Sequence, residues 1–107
     1  MPTSISQDNF GNYWIGLGTK GIYKIVNNSV QKITTNTKLD KTPTRNIFHS
    51  KTGATWFGTE KGLVLFREGN YVEFENEDSI NKIIEDRERN IWVGTDSGGL
   101  KKLAWGF

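Results

Sequence analysis

The 107-residue sequence contains no cysteine, so neither a disulfide framework nor a thiolate metal site can form. It has no apolar run near the length of about 20 residues that a membrane-spanning helix needs. Residues 1–4 lack the charged start and the apolar stretch of a secretory signal. We therefore expect a soluble segment that makes no contact with a membrane.

The sequence also lacks an excess of charge of either sign. Fourteen Lys and Arg residues against twelve Asp and Glu residues give a net charge of +2, which is too balanced to indicate a nucleic-acid partner. Nor is there a Cys/His cluster, a nucleophile elbow or a phosphate loop. We predict that the chain is not an enzyme and has no catalytic residue, metal site or cofactor. The only histidine, His49, is interpreted as a channel or core residue rather than a base or ligand.

Three segments of the sequence are similar to one another, and each has a tryptophan followed two residues later by a glycine. The segments are residues 8–16, 50–58 and 86–94, with tryptophans Trp14, Trp56 and Trp92 and glycines Gly16, Gly58 and Gly94. The tryptophans lie 42 and 36 residues apart. A spacing of about 40 residues, with short β-rich runs between Gly and Asn turns, is the period of a four-stranded propeller blade.

This repeat predicts an all-β fold, a β-propeller fragment of about three four-stranded antiparallel blades, the last of them incomplete. The partial propeller spans residues 1–107, with blades at about residues 3–35, 44–76 and 79–105. In the middle unit the predicted strands are residues 45–50, 55–59, 63–67 and 71–75, and in the third unit they are residues 80–85, 90–95 and 100–104. Residues 35–44 are expected to form a long polar link.

Three blades do not close a ring, because propellers close with about 4–8 blades. The two end sheets would then leave apolar faces uncovered. We expect the chain to be a piece of a longer protein and to self-associate through these exposed blade faces.

The repeated tryptophans and glycines are interpreted as structural, with each ring packed between neighbouring sheets and each glycine allowing a close approach. The alternative is a ring of exposed tryptophans that stack on sugars or bases.

Asp8, Ser50 and Asp86 lie six residues before the tryptophans, where a side-chain oxygen can accept N–H bonds in the turn. A ring of carboxylates for metal or substrate is the alternative, which the serine weakens. Three residues further on, Arg89 stands where the first two units have glycine. It predicts either a left-handed backbone held at some strain or a changed turn.

Two other patterns are not interpreted as sites. Residues 16–21 match the dinucleotide fingerprint G-x-G-x-x-G, but a β-like run follows instead of the helix that the phosphate needs. The acidic run Glu73, Glu75, Glu77 and Asp78 lacks the spaced ligands of a calcium loop and is interpreted as a solvated edge.

The pattern Asp-x-x-Gly-x-x-Trp-x-Gly-Thr resembles the two-component-regulator propeller repeat. Residues 86–95 fit it except at Arg89, and residues 56–63 fit the second part almost throughout. The resemblance implies the periplasmic sensor region of a bacterial hybrid histidine kinase, commonly one that detects polysaccharide breakdown products. It transfers no binding residues, because the repeat motif itself is structural.

The expected function is a non-catalytic, periplasmic, ligand-sensing segment that contributes to oligosaccharide binding by the intact propeller. From topology, its site is expected where the inner strands begin and where the turns between second and third strands project. The residues there are Arg45, Glu60, Lys61, Asn81 and Asp96. The alternative is a protein–protein interaction scaffold. A propeller lyase or glycosidase is a distant third, because it would need paired carboxylates facing one cleft.

Overall fold

The computed structural model describes residues 2–74 and 78–103, which form three antiparallel β-sheets. The first sheet contains β1 (Ser4–Gln7), β2 (Tyr13–Gly16), β3 (Ile22–Val26) and β4 (Ser29–Ile33). The second contains β5 (Thr44–His49), β6 (Thr55–Thr59), β7 (Gly62–Arg67) and β8 (Asn70–Glu73). The third contains β9 (Ile80–Glu85), β10 (Ile91–Thr95) and β11 (Gly99–Leu103). Two short 3-10 turns lie at Gly18–Lys20 and Lys38–Asp40.

Each sheet is a simple meander in which sequence neighbours pair. Two-residue turns between the third and fourth strands set the register. Asn27 and Asn28 have φ values of 49° and 66° and join the paired residues Val26 and Ser29. Left-handed backbone at both central positions is what a tight hairpin turn needs if its twist is to match that of the strands, and asparagine tolerates that conformation well.

The three sheets pack face to face in chain order, with one apolar core in each gap. Trp14 of the first sheet is buried against Phe57 and Val64 of the second. Trp56 of the second sheet is buried against Ile83 and Val93 of the third. The first and second sheets therefore each present a tryptophan to the sheet that follows in the chain.

A glycine in the second sheet allows its close approach to the third. A Cβ atom at Gly58 would lie 2.6 Å from Cγ2 of Ile80, a distance that real side chains do not tolerate. The strand register also places Gly58 two residues beyond Trp56, on the same face of β6.

The first strands of the sheets, β1, β5 and β9, lie side by side and are called the inner strands. Two rims follow from this arrangement. The upper rim consists of residues 43–45 and 78–81, where β5 and β9 begin, and the adjoining turns at residues 60–61 and 96–98. The lower rim consists of the turns after the inner strands, residues 8–12, 50–54 and 86–90.

The strands form where the sequence predicts them, with small shifts at the ends. β5 begins one residue earlier than predicted, at Thr44. The predicted ends of two strands, Glu75 and Ala104, lie outside the described residues, as does Glu77 of the acidic run. Within residues 78–103 the third sheet has three strands.

The link between the first and second sheets differs from the polar segment that was predicted. Its 3-10 turn at Lys38–Asp40 buries Leu39 completely in the core between the two sheets. Asp40 holds the turn in place, because its carboxylate accepts the backbone N–H groups of Thr35 and Asn36. The link is therefore part of the packing between the first two sheets.

Candidate functional site

The upper rim brings together side chains from two neighbouring sheets. Arg45, at the start of β5, donates Nη1–H to Oδ2 of Asp96 at 2.9 Å, which is an ion pair between the second and third sheets. Asn81, at the start of β9, donates to the other carboxylate oxygen at 2.9 Å. Arg45 also bonds to the hydroxyl of Ser79 at 2.6 Å. Three of the five predicted site residues therefore form one hydrogen-bonded cluster.

This cluster keeps its carboxylate ionised. The hydrogen bond from Asn81, and then the hydrogen bond and charge of Arg45, hold the pKa of Asp96 below its ordinary value. All three side chains are exposed, so their remaining hydrogen-bonding capacity faces solvent.

The other two predicted site residues, Glu60 and Lys61, lie in the turn between β6 and β7, in the position that Asp96 occupies in the third sheet. The turn is fixed through its backbone groups: Glu60 N–H donates to the carbonyl of Pro43 at 3.0 Å, and the Lys61 carbonyl accepts a hydrogen bond from the side-chain Nζ of Lys38 at 2.8 Å. Glu60 and Lys61 thus border the upper rim without joining the cluster.

At the lower rim, two aspartates organise the turns after β1 and β9. Oδ1 of Asp8 accepts the N–H groups of Phe10 and Asn12, each at 2.9 Å, and Oδ2 accepts the indole N–H of Trp14 at 3.0 Å. Burial acts to raise the pKa of Asp8, but these three hydrogen bonds outweigh it and hold the pKa below the usual range.

Asp86 repeats this arrangement in the third sheet. It accepts N–H groups from Glu88 and Asn90 at 2.9 Å and the indole N–H of Trp92 at 3.0 Å. The hydrogen bond from Trp92, followed by that from the Asn90 amide, lowers the pKa of Asp86 to about 2. Neither carboxylate therefore has the unoccupied oxygens that a ring of metal ligands would need.

In the middle sheet, Ser50 replaces the aspartate and makes a contact between sheets instead. Its hydroxyl donates to Glu85 of the third sheet, and the same carboxylate accepts the backbone N–H of Lys51 at 3.2 Å. A similar contact joins the first two sheets, where Nε2 of His49, in the second sheet, lies 2.7 Å from the hydroxyl of Ser6 in the first. His49 and Glu85 directly precede Ser50 and Asp86, and the side chain of each contacts the sheet before its own.

His49 is half-buried between the first two sheets, and its other ring nitrogen lies 3.1 Å from the hydroxyl of Thr55. Burial lowers the pKa of His49, against the opposing charge of Asp8. With both nitrogens engaged by hydroxyl groups, the ring is a structural group between sheets.

An open cavity of about 520 Å³ lies at the lower rim, where the turns of all three sheets meet. The side chains that give the cavity its polar, cationic and apolar surface are Asn9, Phe48, Lys51, Ile84, Arg87 and Arg89. Sequence reasoning placed the site at the opposite rim and missed these residues. The arginine that stands in a glycine position was the one pattern that could have drawn attention to them.

Within the described ranges, 2–74 and 78–103, no group of three or more His, Cys, Asp or Glu side chains could hold a metal ion. Over the same ranges, no helix is long and apolar enough to cross a membrane.

Comparison with known proteins finds a family match in the third repeat unit. Residues 75–97 match the family model described as "Two component regulator propeller", which is a regulator family rather than an enzyme family. A protein named histidine kinase P4 from Formosa agariphila is 33% identical over an alignment of 69 residues, which covers 51% of this chain and 5% of that protein.

Among solved structures, the extracellular domain of a hybrid two component system from B. thetaiotaomicron superposes with a TM-score of 0.76 at 23% identity. The match covers 95% of this chain and 14% of that one, and it confirms the predicted propeller fold. PorZ of Porphyromonas gingivalis matches with a TM-score of 0.45 at 15% identity, over 96% of this chain and 26% of that one. The chain spans about one seventh of the length of the first structure and one twentieth of the histidine kinase. Residues 75–97 therefore match the two component regulator propeller repeat, and the three sheets have the fold of consecutive blades of a β-propeller.

Proposed function

We propose that this chain is a non-catalytic, ligand-binding segment of the sensor propeller of a two-component system, and that it works outside the cytoplasm. Two relatives support the proposal by what their names say: one is a histidine kinase and the other is an extracellular domain of a hybrid two component system. The periplasm is the compartment we propose.

The observation that carries the proposal is the upper-rim cluster. Arg45 from one blade and Asn81 from the next hold Asp96 ionised at the exposed ends of the inner strands. Charged and amide groups fixed by one another, with outward hydrogen-bonding capacity, suit a ligand with many hydroxyl groups. We propose an oligosaccharide as the ligand, with Glu60 and Lys61 contributing from the edge of the same rim.

The experiment is a titration of the ¹⁵N-labelled chain with a panel of neutral oligosaccharides, followed by amide and side-chain shifts. Binding is expected to shift the resonances of Asn81 and Asp96, and Asp96→Asn is expected to weaken it by about tenfold, because a charge-assisted contact is lost. Glu68→Gln removes the same charge from an exposed turn at the far end of the second sheet and serves as the control.

A central site draws on every blade around the axis, so the affinity of a longer protein with more blades should exceed that of this chain. Calorimetry with both proteins measures the difference. Equal affinities would contradict a site shared around the axis, and no binding of any sugar by either protein would contradict the oligosaccharide ligand.

A protein-interaction scaffold is the second candidate, because both end sheets expose large apolar side chains. Ile5 is 63% exposed on the first sheet and Leu100 is 67% exposed on the third. Contiguous apolar surface of this kind marks contact faces between proteins.

We further propose that another blade covers these end faces and that in the isolated chain a second copy supplies it. Trp92 is only half-buried, whereas Trp14 and Trp56 are buried by the next sheet. Ile15 is likewise half-buried, although its equivalents Phe57 and Val93 are buried by the preceding sheet. The third sheet therefore exposes the tryptophan face of the contact between blades, and the first sheet exposes the face that receives a tryptophan. In a head-to-tail pair, these two faces would pack against each other as neighbouring blades do.

A further inference from the structure

Arg89 occupies a position where the other two blades have a glycine, and the backbone there is left-handed in all three. The φ values are 88° at Gly11, 97° at Gly53 and 68° at Arg89. The carbonyl that closes the turn is also the same, since Arg89 N–H donates to Asp86 as Gly11 does to Asp8 and Gly53 to Ser50. The third blade therefore keeps the glycine conformation with a residue for which it is unfavourable.

Backbone strain of this kind persists where the surrounding structure enforces it, and it is concentrated at functional sites. Nothing in the turn itself requires a side chain at this position, because the first two blades form the same turn with glycine. The side chain of Arg89 is partly buried and lines the lower-rim cavity. We therefore expect the Arg89 side chain to act in that cavity.

The cavity contains three cationic side chains, Lys51, Arg87 and Arg89, and two carboxylates, Glu85 and Asp86. The carboxylates are engaged: Glu85 binds the turn of the second blade, and Asp86 binds its own turn and the indole of Trp92. The cations are thus free to act on a bound group, and the lining has an excess of positive charge.

The rest of the lining is apolar. Phe48 and the half-exposed Ile84 lie beside the cations and offer carbon surface to a ring. A guanidinium group binds carboxylates and similar oxyanions in a bidentate manner. Pockets for small ligands combine a few such polar groups with a lining of apolar and aromatic side chains. The volume of about 520 Å³ lies in the usual range for a small-molecule site.

We propose that the lower-rim cavity binds the acidic group of a charged saccharide, a carboxylate or a sulfate, with Arg89 as its main contact and Arg87 and Lys51 beside it. The proposal rests on the proposed ligand-sensing function, and it adds a second site at the opposite end of the inner strands. The acidic group would come from a uronic acid or from a sulfated sugar, since both present anionic oxygens that accept hydrogen bonds from the cations.

The test uses the ¹⁵N-labelled chain and three probes: an oligogalacturonate, which carries only carboxylates, an oligocarrageenan, which carries only sulfates, and a neutral maltooligosaccharide. The acidic probes, or one of them, are expected to shift the amides of residues 86–90 and the indole N–H of Trp92. The maltooligosaccharide should leave these resonances unchanged.

Two variants separate the charge of Arg89 from its backbone conformation. Arg89→Gln keeps the strained backbone and removes the charge, and Arg89→Gly gives this blade the residue of the other two. Both are expected to weaken binding of the acidic probe by about tenfold or more. Arg89→Gly should also have an equal or higher thermal midpoint, because the strain is relieved.

Two controls match these variants. Lys20→Gln removes one positive charge at the other end of the first blade, and Asn28→Gly relieves a left-handed residue in another turn. Neither should change the affinity for the acidic probe.

Binding that survives Arg89→Gln and Arg89→Gly would overturn the proposal, as would equal shifts with the neutral probe. If sugars shift Asn81 and Asp96 at the upper rim but neither acidic probe shifts residues 86–90, the proposed function stands and this site is wrong. If no probe shifts any resonance, this site is wrong, and if the longer protein also binds no sugar in calorimetry, the proposed function is wrong as well.

Discussion

The indole Nε1–H of Trp92 donates a 3.0 Å hydrogen bond to Oδ2 of Asp86, six residues earlier in the chain, and Trp14 bonds to Asp8 in the same way at the same distance. Each carboxylate also accepts two amides of its turn. One side chain therefore fixes both the turn at the lower rim and the ring that packs on the next blade. The aspartate and the tryptophan of the repeat form a single hydrogen-bonded unit.

Replacing Asp8 by asparagine tests this unit. The neutral amide keeps the size of the side chain, but its NH₂ group cannot accept the indole hydrogen of Trp14. We expect the free energy of unfolding to fall by about 1.5–3 kcal/mol, the usual contribution of a hydrogen bond to a charged group. Urea denaturation followed by tryptophan fluorescence measures the change.

The control is the same substitution in a Trp14→Phe background, which lacks the indole donor. Asp8→Asn should cost less there, and the difference gives the coupling between the two side chains. An equal cost in both backgrounds would show that Asp8 acts only through its turn.

Acid should destabilise the chain through the same carboxylates. The pKa of Asp86 is about 2 in the folded chain and 3.8 for the free group. A lowered folded pKa contributes stability that is fully present above pH 3.8 and is lost as the pH falls towards 2. Asp8 and Asp96 shift in the same direction. We expect the thermal midpoint to decline steeply across this window and less steeply in Asp86→Asn, and parallel declines would contradict the assignment.

Gly58 sets the distance between the second and third blades. Because a Cβ atom there would lie 2.6 Å from Ile80, we expect Gly58→Ala to lower the free energy of unfolding by about 1–3 kcal/mol, as overpacking of a core does. Denaturation in urea measures it. Ile80→Ala removes the Cγ2 methyl group but keeps the Cβ atom, which would lie 2.9 Å away, so Gly58→Ala should cost less in that background than in the unaltered chain. Two fully additive effects would place the strain elsewhere.

The sequence predicts the sheets well because the determinants of a blade are local. Tryptophan spacing, alternation and turn residues such as Asn27 and Asn28 act within one unit, and the strands appear within a residue or so of their expected bounds. Topology also placed Arg45, Asn81 and Asp96 at one end of the inner strands, and there they lie within hydrogen-bonding distance.

Two features that involve more than one blade could not be predicted in this way. The burial of Leu39 depends on how the link folds back across two sheets, and the lower-rim cavity depends on where three turns converge. Both follow from the rotation of one sheet relative to the next, which no pattern within a unit records. The arginine at position 89 was visible as a departure from the repeat, but only the cavity gives that departure a chemical meaning.

Self-association through a head-to-tail contact predicts that two variants, each altered on one end face, complement each other, which a symmetric contact does not predict. Ile5→Lys places a charge on the apolar end face of the first blade, and Leu100→Lys does so on the third. Both side chains are largely exposed, so neither variant should unfold. In a head-to-tail pair every contact uses both faces, so each variant alone should remain a monomer in light scattering. An equimolar mixture should associate, because one variant keeps the face that the other has lost.

Phe10→Lys, at a 90% exposed residue of the lower rim, is the control and should associate as the unaltered chain does. Association of either end-face variant by itself would mean that like faces pair, and an unaltered chain that stays monomeric at every concentration would overturn the proposal.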